Sequence, residues 1–332
     1  MTKLWDIVVR FPILIGIALI FAQTLPVVDA RWLWFSDEVR YAEVYSNLVR
    51  DGHWIVLNLN GEAYPDKPPV YFLLLAALDL IPGVEMPGLM WLGSAVSAIF
   101  LLFAMRALAS AVGIGRSGFA AGMLVQLSLF GMVFLLHYVR MDLLFVALMM
   151  GGQAYLHRYY YNGEAAKFAY LGFALAGLAV LVKGPLGLLL PLVAVWGAAL
   201  WAGRGAAILR LTTLLGLLLA VLVMASWAFG IILVEGWAFF RDQIIGQQVV
   251  ARATDTFHHS EPFILVTSRR MVSMPGVPSS VASVSPLTSV AMTRAPSSAM
   301  RRTDARPIPC PLAVARTVLP SSRFIPSFPR RC

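Results

Sequence analysis

Seven stretches run without a single charge, at 11–28, 87–105, 119–136, 143–156, 168–182, 185–201 and 211–234, and each is predicted to form a membrane-spanning helix. A span needs about 20 residues at about 1.5 Å rise to cross some 30 Å of hydrocarbon. Several of the seven are shorter than that. None shows the period-2 alternation of a spanning strand, and Leu, Ala, Gly and Met fill them, so the expected architecture is all-α and not a barrel. The apolar run 70–81 is too short to span and is broken by Pro82 and Gly83; it is expected to be an interfacial or re-entrant helix. The first stretch follows Lys3 and Arg10, as in a signal peptide, but further spans follow it and no small-residue cleavage site does. It is therefore expected to remain as the first helix.

Basic residues in short connections give an independent test of this arrangement, because they concentrate on the cytoplasmic side. Lys3 and Arg10, Arg106 and Arg116, Arg158 and Lys167, and Arg204 and Arg210 fall in alternate connections. The opposite face receives residues 29–86, the turn at Arg140 and Asp142, the turn at Lys183 and everything after 234. Arg40, Lys67, Arg140 and Lys183 stand on that outer face against the rule and call for another role.

Composition agrees with a lipid environment: 59% of residues are hydrophobic, 13% are charged, and mean hydropathy is +0.76. The net charge of +9 would suit a nucleic-acid partner, but its distribution excludes that reading. Residues 1–266 carry 16 basic and 16 acidic residues; residues 267–332 carry ten Arg and a single acid, Asp304. Both cysteines, Cys310 and Cys332, also lie in this last segment, so the membrane part has neither an internal disulfide nor thiolate metal ligands. Two regions follow: a membrane domain over 1–266 and a tail over 267–332 with twelve Ser, ten Pro and ten Arg, which is expected to be disordered. Arg without Lys, in a Ser- and Pro-rich background, is what a GC-rich gene yields when read in a shifted frame. The natural frame is expected to have been lost near Leu265; the alternative is a genuine basic tail held by anionic lipid.

The first outer loop carries most of the candidate chemistry. It reads Ser36-Asp37-Glu38-Val39-Arg40-Tyr41-Ala42-Glu43, then Asn60-Gly61-Glu62-Ala63-Tyr64-Pro65-Asp66-Lys67-Pro68-Pro69. A helix over 37–50 puts Asp37, Arg40 and Tyr41 on one face. A carboxylate beside a guanidinium stays ionised and can take a proton from a hydroxyl nucleophile. Lys67, stiffened by two prolines at the interface, suits a phosphate. The plain alternative is a set of solvated loop charges with one ion pair. Asp142 opens a span, where a carboxylate also favours a helix N-terminus. Lys183 lies between two apolar runs, either as a functional cation or as a snorkelling one. His258, His259 and Glu261 follow the last span and offer metal-type ligands. The convergence of Asp37, Arg40, Asp66, Lys67, Asp142, Lys183 and His259 on one face points to a site for a lipid-linked phosphate.

These motifs resemble those of the bacterial relatives of the protein O-mannosyltransferases, in particular the lipid A aminoarabinose transferases. The likeness rests on Asp37-Glu38-x-Arg40-Tyr41-Ala42-Glu43, Asn60-Gly61 and Tyr64-x-Asp66-Lys67-Pro68-Pro69, with Lys183-Gly184-Pro185 and His258-His259-Ser260-Glu261-Pro262-Phe263 as later matches, and it covers residues 1 to about 265. It implies the GT-C membrane fold, with interfacial helices in the first outer loop. It also implies transfer of a sugar from a polyprenyl-phosphate donor to a lipid or protein acceptor at the periplasmic face of the bacterial inner membrane. Under that resemblance Asp37 is the catalytic carboxylate and Asp142 a second acid. Arg40, Lys67 and Lys183 face the donor phosphate. Glu38, Tyr41, Glu43 and Tyr64 are further site residues, and Asp66 with His259 would hold a divalent metal, though Asp stands where the family has Glu. Family members continue beyond the His-Glu-Pro-Phe segment with more helices and an outer domain, so this chain is expected to be truncated. A lipid-phosphate flippase with the same cations but no base, or an inactive relic, are the competing readings.

Resequencing of the gene is expected to find a frame change near Leu265. An unbroken frame would leave the basic tail as the surviving explanation.

Overall fold

The computed structural model describes residues 2–28 and 32–251. His258, His259, Glu261 and the 267–332 tail lie outside the described residues.

The chain opens with α1 (Thr2–Arg10), which turns by 97° at Phe11 into α2 (Pro12–Val28). Val8 and Val9 of α1 are half-buried, while Leu4 and Ile7 are exposed beside a polar edge of Lys3, Asp6 and Arg10. The outer loop then folds as α3 (Ser36–Asp51), the hairpin β1 (Asn58–Leu59) and β2 (Glu62–Ala63), and α4 (Val70–Asp79). α3 begins where Glu38 reaches back to the Phe35 N–H, and it ends at Gly52, whose φ of 77° is the left-handed C-cap that glycine supplies. The hairpin pairs Asn58 with Ala63 and Leu59 with Glu62 across an Asn60-Gly61 turn with positive φ at both residues. That is the dipeptide and geometry of a tight type I′ turn.

The remaining helices are α5 (Gly88–Ala111), α6 (Arg116–Ser128), α7 (Phe130–His137), α8 (Asp142–Tyr160), α9 (Ala166–Lys183), α10 (Leu186–Trp201) and α11 (Leu211–Phe239), after which Phe240–Ala251 continues as a π-helix. Each of the seven expected spans is helical, but their lengths differ from expectation. By length and composition, the described residues hold three helices able to cross a membrane alone: Gly88–Ala111, Ala166–Lys183 and the stretch Leu211–Gly246. Counting the bent pairs α1 with α2 and α6 with α7 as single spans makes five. α6 and α7 meet at 62° because Leu129 takes an extended conformation and breaks the helix. α8 has 19 residues but carries Gln153, His157 and Arg158 in its second half, and α10 has only 16.

α8 is the central helix, packed on α5, α9 and α10. Small residues allow the close approach, since lipid offers no hydrophobic drive to push helices together. A side chain on Gly152 would meet the Gly172 carbonyl at 3.0 Å, and one on Gly177 would meet the Ala220 backbone at 3.2 Å. On the outer side, Tyr41, Val44, Tyr45 and Leu48 of α3 pack with Tyr71, Phe72 and Leu75 of α4 and with Leu89, Met90 and Trp91 of α5. This cluster seats the loop on the bundle.

At Gly187 of α10, a Cβ would stand 2.6 Å from the Ala179 carbonyl carbon of α9, where backbone cannot yield. Gly187→Leu is expected to destabilise the folded protein by about 1–3 kcal/mol or more, read as a lower melting temperature in detergent. An unchanged melting temperature would show that α9 and α10 are not held in this contact.

Candidate active site at the outer face

Glu38 organises the outer face. It is fully buried, and its carboxylate accepts from the Trp34 N–H at 2.9 Å, the Phe35 N–H at 3.1 Å and the Val139 N–H at 3.1 Å. One side chain therefore ties the start of α3 to the 138–141 connection between α7 and α8, more than 100 residues away. These backbone donors explain how a carboxylate survives burial.

Along that seam the charged side chains form a continuous chain. Asp37 receives the Arg40 guanidinium at 2.5 Å on Oδ1, and on Oδ2 it receives the Tyr138 hydroxyl and the Arg140 guanidinium, both at 3.2 Å. Arg140 passes on to Asp142 at 3.1 Å, and Lys183 at the end of α9 closes on the other oxygen of Asp142. The order is Arg40, Asp37, Arg140, Asp142, Lys183: three cations, two acids and one positive charge in excess. Side-chain exposures of 18% and 19% for the two acids leave both reachable from outside. The Arg140 Nε and the Asp142 Oδ2 that face each other are buried yet lie outside hydrogen-bond geometry, so each keeps bonding capacity for an incoming polar group.

The surroundings tune these groups. Burial first, and the charge of Asp37 second, push the Tyr41 phenol up to about 12 and raise Tyr138 as well, so both are neutral hydroxyls near neutral pH. For Arg140, burial works against the charged form, but Asp142 and Asp37 outweigh it and hold its pKa above the ordinary value. The Tyr64 hydroxyl is buried beside the Arg40 guanidinium, outside hydrogen-bond geometry; burial raises it while Arg40 pulls the other way.

The structure thus brings Asp37, Arg40, Asp142 and Lys183 together, with Tyr41 and Tyr64 bordering them. Glu43 is turned elsewhere: its carboxylate accepts the Asn60 N–H at 3.2 Å and steadies the hairpin. Asp66 and Lys67 are half-buried in the turn that leads into α4, next to Tyr64. Among the described residues no three His, Cys, Asp or Glu side chains gather as a metal site would require. His259, the other expected metal ligand, lies outside the described residues. Asp142 does no capping through its side chain; Met141 precedes it as the N-cap, and the Asp142 carboxylate is taken by Arg140 and Lys183. Arg140 and Tyr138 were not among the residues given a role from the sequence. The violation of the basic-residue rule by Arg140 was the available signal; nothing marked Tyr138.

Beneath the ion pairs, an apolar groove of about 540 Å³ opens between α4, α5, α8 and α9. It follows α8 from Leu144, two residues after Asp142, to Tyr155, and is walled by Leu73, Phe103, Ala107 and Leu178 among others.

Three helices able to cross a membrane alone, or five with each bent pair taken as one span, make this a multi-pass helical membrane protein, and its fold is of the GT-C type. The crystal structure of ArnT from Cupriavidus metallidurans bound to undecaprenyl phosphate matches with a TM-score of 0.59 at 21% identity, covering 68% of this chain and 43% of that one. In sequence the chain is 25% identical over 252 residues to the undecaprenyl phosphate-alpha-4-amino-4-deoxy-L-arabinose arabinosyl transferase of Pseudomonas savastanoi pv. phaseolicola, covering 74% of this chain and 46% of that protein. It is 27% identical over 260 residues to the enzyme of the same name from Pectobacterium carotovorum, covering 76% and 45%. No protein-family model matches the chain. The likeness read from the loop motifs is therefore borne out in sequence and in fold, and the chain spans less than half the length of the relatives it matches.

Glu38→Ala would leave the buried Val139 N–H and the part-buried Trp34 and Phe35 N–H groups without their acceptor and is expected to lower stability by about 1–3 kcal/mol. Thermal unfolding in detergent checks this, with Glu43→Ala, at an exposed hairpin contact, expected to change little.

Proposed function

We propose that the chain carries the donor-binding and catalytic half of a membrane glycosyltransferase. The enzyme transfers a sugar from a polyprenyl-phosphate donor to a lipid or protein acceptor at the periplasmic face of the bacterial inner membrane. The observation that carries the reading is the ion-pair chain from Arg40 to Lys183, one positive charge in excess, standing at the head of an apolar groove. A polyprenyl phosphate has the complementary form: an anionic head on a long apolar tail. The sequence relatives, 4-amino-4-deoxy-L-arabinose arabinosyl transferases, make an aminopentose the first sugar to test.

In the proposed step an acceptor hydroxyl attacks the anomeric carbon of the donor sugar. Asp37 takes the hydroxyl proton, the new C–O bond forms, and the bond to the phosphate oxygen breaks with its electron pair left on the phosphate. Arg40 and Lys183 from the ion-pair chain, with Lys67 from the turn before α4, are drawn to the phosphate and steady that developing charge. Asp142 holds Lys183 and Arg140 in place between turnovers and is the second acid at the site. The reading also assigns a divalent ion to Asp66 and His259. Treatment with EDTA followed by metal add-back tests it, and unchanged transfer would remove the ion from the scheme.

Asp37→Asn is expected to cut transfer by about 10²–10⁴-fold, the usual worth of a positioned base, while the protein stays folded and inserted; retained activity would overturn the assignment. Ala107→Trp, which fills the inner part of the groove, is expected to raise KM for a long polyprenyl donor about tenfold while leaving a short isoprenyl donor nearly unaffected, as loss of apolar contact along the tail alone would do. Equal effects on both donors would show that the tail lies elsewhere.

A further inference from the structure

Among the described residues the Asp37 carboxylate has one hydrogen bond from a neutral donor, Tyr138, whose ring is bracketed by aromatic and cationic neighbours. Tyr138 lies at the C-terminal end of α7. Its ring is bracketed by Phe35 at 4.7 Å, Phe134 at 5.2 Å and the Arg140 guanidinium at 5.1 Å. Phe130, one turn below Phe134, stacks on it at 6.3 Å and extends the bracket down α7. These contacts, from partners that are themselves partly exposed, restrain the half-buried ring and so favour one direction of its hydroxyl. That hydroxyl donates to Asp37 Oδ2 at 3.2 Å.

We infer that Tyr138 is a positioning residue for Asp37: its hydroxyl fixes the rotation of the carboxylate and so decides which lone pair is offered to the acceptor. A carboxylate presents about four acceptor directions. Among the described residues Arg40 occupies one on Oδ1 and Tyr138 one on Oδ2, while Arg140 stands 3.2 Å from Oδ2 as an ion pair outside hydrogen-bond geometry. The second direction on Oδ1 is open to a substrate proton. The two guanidiniums supply charge, but both are long, flexible side chains that a donor phosphate would also attract. Tyr138 has no charge to give to the phosphate. It keeps its bond to Asp37 when the arginines are drawn away, and the carboxylate does not rotate at the moment it is needed.

This inference rests on the glycosyl-transfer reading for its catalytic consequence, but not for its structural one, so the test has two parts. In full-length protein labelled with ¹³C-aspartate, the infrared carboxylate band that disappears in Asp37→Asn identifies Asp37. Tyr138→Phe, which keeps the ring and its packing, is expected to shift that band with no change in melting temperature, and an unshifted band overturns the proposal. In the transfer assay Tyr138→Phe is expected to lower kcat by about tenfold or more with KM for the donor unchanged, since small misplacement of a reacting group acts on the chemical step. An unchanged kcat in an active enzyme overturns it as well. If the unmutated protein transfers no sugar, the glycosyltransferase reading fails, and the infrared band alone decides the placement of Asp37 by Tyr138.

Discussion

A single buried carboxylate holds the outer face of this protein together. Glu38 sits in the seam between α3 and the 138–141 connection and satisfies backbone donors from both sides. Two irregular segments at a membrane surface have few ways to satisfy their N–H groups, and an unpaired one is expensive where water is scarce. Once Glu38 meets that requirement, the two segments can lie in one register only. The residue before it, Asp37, then faces Tyr138 and Arg140 across the seam. The chemistry follows from the register.

The alternation of charge along the seam answers a second constraint. An isolated ion near hydrocarbon is costly, and removing one member of a close pair leaves the other unsolvated. In the order Arg40, Asp37, Arg140, Asp142, Lys183, each acid lies between two cations, and none of the five is left alone. The excess positive charge resides at one end of the bundle, above an apolar groove. Arg140 is the shared link, because it alone among these five contacts both acids.

The helices beneath are fitted by small residues more than by pattern. Gly152 against Gly172 brings the backbones of α8 and α9 within van der Waals reach, and Gly177 against Ala220 and Gly187 against Ala179 do the same for α9 with α11 and α10. That proximity puts Asp142 and Lys183, 41 residues apart in the chain, into contact. The bends at Phe11 and Leu129 belong to the same economy of space: they fold α1 with α2 and α6 with α7 beside α5 without one long straight span each.

Much of this was legible in the chain itself. Charge-free stretches located every described bundle helix, because a lipid-facing or lipid-buried helix must be apolar along its length. The alternation of basic connections set the candidate residues on one face, since charge bias acts locally at each loop. The i, i+3, i+4 spacing placed Asp37, Arg40 and Tyr41 together on α3, and Asn60-Gly61 announced its turn, because both are properties of a few consecutive residues. Tertiary structure decided the rest. Whether a helix is long enough to cross alone depends on bends such as the one at Leu129 and on neighbours that cover Gln153, His157 and Arg158. Glu38, one residue from Asp37, became a buried staple, and Glu43, five residues on, went to the hairpin, because the facing segment supplies donors to one and not the other. Tyr138 and Arg140 join Asp37 only across a contact of about a hundred residues in sequence, and no local pattern encodes which distant side chain a buried carboxylate will meet.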